Sequence, residues 1–81
     1  MNAIDVQRKI EQALPGAHVE VKDLTGGGDH FEALVVSAGF EGRSLVERHQ
    51  AVYSALGEAM KAQVHALSLK TLTPDQFQRR R

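Results

Sequence analysis

The sequence predicts an α+β domain of order αββααβα, built on a three-stranded mixed sheet. Two hydrophobic periods and one difference in connection length point to it. Apolar residues recur at helical spacing near the N-terminus and again between Ser44 and Lys61, as on helices that bury one stripe. In stretches beginning at Val19, Phe31 and Val64 they alternate or run continuously, as in strands. A short glycine loop separates the first two strands and a helical span separates the last two. The first pair is therefore antiparallel and the second parallel.

Val6, Ile10, Ala13 and Leu14 form the buried stripe of the first helix, with Gln7, Arg8, Lys9, Glu11 and Gln12 on its wet side. Asn2 caps it, Asp5 suits its positive first turn, and Pro15-Gly16 stops it. Val19 and Val21 alternate with His18, Glu20 and Lys22, so His18 reads as a surface strand residue. The following stretch carries Gly26-Gly27-Gly28 and predicts a mobile, open loop with His30 accessible at its exit. Phe31 to Ser37 is nearly continuous in apolar residues, with β-branched Val35-Val36, and predicts a central strand covered on both faces.

Ala38 to Gly42 reads as a turn, and Ser44 with Glu47 as a capping box that starts the next helix. Leu45, His49, Val52, Tyr53, Leu56 and Met60 give that helix an apolar face, which puts His49 inside. Gly57 predicts a break into two helices. Val64 to Lys70 alternates as the third strand, with His65, Leu67 and Leu69 on one face. Thr73-Pro74-Asp75-Gln76 starts a short last helix that packs through Phe77 and frays into arginines.

Eighty-one residues make one domain with a modest core. The hydrophobic share of 42% is too high for a disordered chain. With no cysteine, the chain offers no thiolate for catalysis or metal binding, and any metal chemistry runs through histidine, carboxylate or a ligand brought by another molecule. The N-terminal residues lack the pattern of a secretory signal and no stretch is long enough to span a membrane, so the expected compartment is the cytoplasm. A formal net charge of +0 removes the general field that draws proteins onto nucleic acid.

Two histidines invite a metal reading. His30 and His65 each stand at the start of one of two strands expected to run parallel, so both imidazoles could project from the same edge of the sheet. By spacing alone the commoner reading is a loop histidine and a satisfied strand-end histidine, since two nitrogens do not complete a site. Gly39-Phe40-Glu41-Gly42 has the outline of a backbone-clamping GxxG loop, but a phosphate there would meet Glu41, and it reads as a turn. The helix pair from Ser44 to Lys61 could be a DNA-binding helix-turn-helix, with Arg43, Arg48, Lys61 and Lys70 as its cations. No HExxH, GxSxG or P-loop spacing occurs, and no nucleophile, base and oxyanion set can be assembled, so the chain is not expected to be an enzyme.

The strings Gly28-Asp29-His30-Phe31-Glu32-Ala33, Val35-Val36-Ser37, Phe40-Glu41-Gly42, Leu45-Val46-Glu47-Arg48-His49-Gln50 and Val64-His65-Ala66-Leu67-Ser68-Leu69-Lys70-Thr71, followed by Thr73-Pro74, resemble the BolA family over about Val19 to Phe77. That resemblance implies a fold related to type II KH domains and pairing with a monothiol glutaredoxin. The heterodimer can share a [2Fe–2S] cluster, held on the partner's side by its cysteine and a glutathione thiol. On this side it implies His65 and, from the loop before the central strand, His30. Some members are described as DNA-binding transcriptional regulators in the stress response, which is the alternative reading. A homodimer of the apo form is left open. The chain has Gln50 where the family often has arginine, and Phe77 where many members have tryptophan.

Overall fold

The computed structural model describes residues 1–62 and 66–80, the side chains of residues 61 and 62 excepted. The elements are α1 (Ala3–Ala13), β1 (His18–Asp23), β2 (His30–Val36), α2 (Leu45–Leu56), α3 (Ala59–Ala62), β3 (Ala66–Leu72) and α4 (Pro74–Arg79), with a 3-10 turn at Ala38–Phe40. The strands form one mixed sheet in the order β1-β2-β3. β1 and β2 are antiparallel, with Val19 opposite Val35 and Val21 opposite Ala33. β2 and β3 are parallel, with His30 opposite Ala66 and Ala33 opposite Leu69.

Alternation sorts the side chains between the faces of this sheet. Val19, Phe31, Ala33 and Val35 turn toward Val6 and Ile10 of α1 and Val52 and Leu56 of α2, and together they make the core. Burying a ring such as that of Phe31, which is fully enclosed, contributes about 1.5–3 kcal/mol. Glu20, Lys22, Glu32, Ser68 and Lys70 are exposed on the other face. β2 is central by pairing and covered along the whole of one face, while its other face is exposed at Glu32, half-buried at Leu34 and buried at Val36. The nearly unbroken apolar run had suggested two covered faces, and Glu32 is the residue in it that belongs to the wet side.

The helix ends follow their sequence signals. The Asn2 side chain accepts the Asp5 N–H at 2.9 Å. Ala13 is exposed, because α1 ends there and Leu14 and Ala17 pack against the core instead. The Ser44–Glu47 capping box is complete: Glu47 N–H donates to Ser44 Oγ at 3.2 Å and Ser44 N–H to Glu47 Oε1 at 2.9 Å. Gly57, with φ +52°, caps α2 and separates it from α3. Thr73 and Gln76 form the matching box at α4.

The inward face of α2 is rotated from the expected stripe. Its buried residues are Arg48, Val52 and Leu56, whereas Leu45 is 63% and Tyr53 40% exposed. An arginine lies inside because its polar head finds acceptors there. Arg48 Nε donates to the Arg43 carbonyl at 3.1 Å, and Nη1 to the Thr71 carbonyl at 3.4 Å and Gln76 Oε1 at 3.0 Å. Its guanidinium lies 5.8 Å from the centre of the Phe40 ring. Phe40, expected in a plain turn, is delivered into the core by the 3-10 turn. β3 runs on to Leu72, whose carbonyl accepts the Ser37 N–H at 3.0 Å. Val64 and His65, expected at its start, lie outside the described residues. Among the described residues no helix is long and apolar enough to cross a membrane.

Candidate metal centre

The loop between β1 and β2 is organised by its first carboxylate. Asp23 Oδ1 accepts the N–H groups of Thr25 at 3.2 Å and Gly26 at 2.9 Å, and Oδ2 accepts that of Gly28 at 2.9 Å. An aspartate that bonds to backbone amides a few residues on is a turn-forming device, and here it gathers most of the loop. Leu24 N–H closes the hairpin on the His30 carbonyl at 2.9 Å. Gly28 has φ +76°, and a Cβ there would stand 2.5 Å from the Met1 carbonyl oxygen. Gly28 therefore serves a close approach inside a loop tied by Asp23, where three glycines had suggested an open tether.

His30 is delivered at the exit of this loop as the first residue of β2. Its Nδ1 lies 3.1 Å from Asp29 Oδ1, and 37% of its side chain is exposed. Thr25 Oγ1 donates to the same Asp29 oxygen at 3.2 Å. The His30 imidazole beside it is the largest cause holding the Asp29 carboxyl below its ordinary value; desolvation opposes it and Thr25 adds to it. The Asp29 carbonyl also accepts the Ala66 N–H at 3.1 Å, which pins the loop exit to the beginning of β3.

A neutral imidazole beside a carboxylate at Nδ1 is suited to offering its Nε2 lone pair to a metal. That donor chemistry fits one ligand of a shared site. His65, the second expected ligand, lies outside the described residues, and Ala66, the next residue in the chain, is the one paired with His30. Among the described residues no group of three or more His, Cys, Asp or Glu side chains could hold a metal ion.

The other two histidines are engaged elsewhere. His18 is exposed on β1, as its alternation predicts; its Nε2 lies 2.6 Å from Glu20 Oε2, a hydrogen bond that lowers the Glu20 pKa. Its ring lies 5.3 Å from that of Phe77, through which α4 meets the sheet. His49, expected inside, is half-buried, with its ring edge-on to Tyr53 at 6.4 Å.

Of the four cations proposed for nucleic acid, Arg43, Arg48 and Lys70 have described side chains. Arg48 is 8% exposed, with its Nε and Nη1 engaged by Arg43, Thr71 and Gln76, which corrects its reading as a surface contact. Arg43 is exposed and donates from Nε to the Gly39 carbonyl at 3.1 Å. Lys70 borders an open groove of about 450 Å³ on the uncovered sheet face, beside Glu20, Lys22 and Glu32, where the charges are mixed. The side chain of Lys61 lies outside the described residues. Asp23, Thr25 and Asp29 had not been singled out, although Asp-x-Thr-Gly ahead of a strand is a recognisable turn signal.

Comparison with known proteins adds the family context. The model of the family described as BolA-like protein matches residues 7–76. BolA-like protein 2 of Homo sapiens is 42% identical over 83 aligned positions, which cover 100% of this chain and 95% of that protein. Protein BOLA2 of Arabidopsis thaliana is 47% identical, over 89% of this chain and 78% of its own length. The structure of a BolA protein homologue from Coxiella burnetii superposes with a TM-score of 0.84 at 40% identity, covering 96% of this chain and 97% of its own.

Proposed function

The chain belongs to the BolA-like family, and from that premise we propose that it is a non-enzymatic cytoplasmic adaptor that docks a monothiol glutaredoxin and shares a [2Fe–2S] cluster with it. Its role lies in cluster trafficking or iron and stress regulation. The observation that carries this reading is His30, half-exposed at the start of the central strand, with a carboxylate at Nδ1 and the beginning of β3 alongside. The cluster is cargo passed through the complex, and sulfur must come from the partner and glutathione because this chain has no cysteine.

The work of this chain is then to present imidazole nitrogen, from His30 and His65, to iron that the partner already holds. Histidine in place of two thiolates on one iron raises the reduction potential and makes the site pH-sensitive, so that the cluster departs more readily in acid. The burial of Arg48 and the balanced charge weigh against the alternative, a DNA-binding regulator acting through the helix pair.

Anaerobic reconstitution with a monothiol glutaredoxin and glutathione, followed by visible circular dichroism, tests the proposal. The wild-type complex should give a spectrum distinct from that of glutaredoxin alone, and His65→Ala and His30→Ala should each abolish or alter it. A wild-type mixture indistinguishable from glutaredoxin alone removes the proposal.

A further inference from the structure

We propose that Asp29 is a positioning residue for His30, fixing the imidazole in the tautomer that carries its proton on Nδ1 and its lone pair on Nε2. The relevance of this to metal rests on the function proposed above; the positioning itself is a property of the isolated chain.

The arrangement is built from several sides. Nδ1 is buried, 3.1 Å from Asp29 Oδ1, while the ring as a whole keeps 37% of its surface exposed. An ionised carboxylate only accepts, so the neutral ring that fits beside it is the one with N–H at that position. Thr25 donates its hydroxyl to the same carboxylate oxygen at 3.2 Å. Thr25 is itself held, its N–H on Asp23 Oδ1 and its Oγ1 accepting the Gly27 N–H at 3.2 Å. From the other direction the Asp29 carbonyl takes the Ala66 N–H. A run of hydrogen bonds thus leads from the end of β1 through Asp23 and Thr25 to Asp29, whose Oδ1 stands 3.1 Å from one nitrogen of His30, at the position where the backbone of β2 pairs with the first residue of β3. Carboxylates placed this way behind a metal-binding histidine orient it and strengthen its distal nitrogen as a donor.

A plain turn aspartate would leave the tautomer alone, and the test uses that difference. Long-range proton–nitrogen correlation spectra of the ¹⁵N-labelled apo chain, recorded in mild alkali where imidazole is neutral, report which ring nitrogen is protonated. In the wild type His30 should carry its proton mainly on Nδ1. Asp29→Ala should move the proton mainly to Nε2, Thr25→Val should move it part of the way, and Asp29→Asn, which keeps an oxygen acceptor, should restore the wild-type preference in part. A wild-type His30 protonated on Nε2 overturns the proposal without any variant having to fold. So does a folded Asp29→Ala chain with an unchanged tautomer.

Loading the variants beside glutaredoxin separates this from the proposed function. Asp29→Ala should raise the potential of the shared cluster and weaken its retention about 10–100-fold; an unchanged potential overturns the link from Asp29 to metal. If the tautomer responds as expected while His30→Ala and wild-type complexes are spectroscopically identical, Asp29 still positions His30 and it is the metal reading that fails.

Discussion

Arg48 carries a permanent charge into a site where its described partners are two backbone carbonyls, one amide oxygen and an aromatic face. A guanidinium tolerates this better than an ammonium would, because its charge is spread and its planar donors reach several acceptors at once. Truncation would remove bonds to a charged donor and leave acceptors without partners, so Arg48→Ala should lose about 2–4 kcal/mol. Urea unfolding checks this: the midpoint should fall while the slope stays put. The sequence gives little hint of such a role, since charge reads as solvation and two of the acceptors come from residues 23 and 28 positions further on. Asp29 differs. Its partners Thr25 and His30 lie within the same loop, and that short range makes the arrangement legible as turn chemistry once the carboxylates are given as much weight as the glycines.

Helix ends and strand alternation are the most readable elements of this chain, because each is decided by residues a few positions apart. Both capping boxes and the break at Gly57 could be named in advance for that reason. The inward face of α2 was not legible: Leu45 and Tyr53 share the helical spacing of the core residues, and only tertiary packing leaves them outside. The cap of α2 also has a consequence in acid. The backbone hydrogen bond from Ser44 is the largest cause lowering the Glu47 carboxyl below its ordinary value of 4.5. A carboxyl whose folded pKa is depressed contributes stability above its unfolded value and loses that contribution as pH falls through the folded one. Thermal melts of the wild type should therefore drop between about pH 5 and 3 more steeply than those of Glu47→Gln, which keeps an acceptor but has no charge to lose. Identical acid slopes would show that the cap does not contribute.

At the scale of the molecule, topology was legible because loop lengths alone separate a hairpin from a crossover, and the observed registers follow that division. The edge proposed for metal was only half legible, as a convergence of strand starts; the carboxylate behind His30 emerged from the folded loop. Net charge sets a further expectation. With ten basic residues against ten acidic ones and Arg48 withdrawn, no excess of positive charge remains to draw the chain onto a duplex. Gel shifts at physiological salt should show no sequence-dependent band at submicromolar protein, and a tight specific complex would favour the regulator reading. Arg48 has one more effect. Six residues are too few for α4 to persist unaided, where even about 12–15 are marginal in water. Gln76 Oε1 meets both the Thr73 amide of its own cap and the guanidinium reaching over from α2. The C-terminal turn thus borrows its persistence from a helix far away in the chain, and limited proteolysis should cut the tail of Arg48→Ala sooner than that of the wild type.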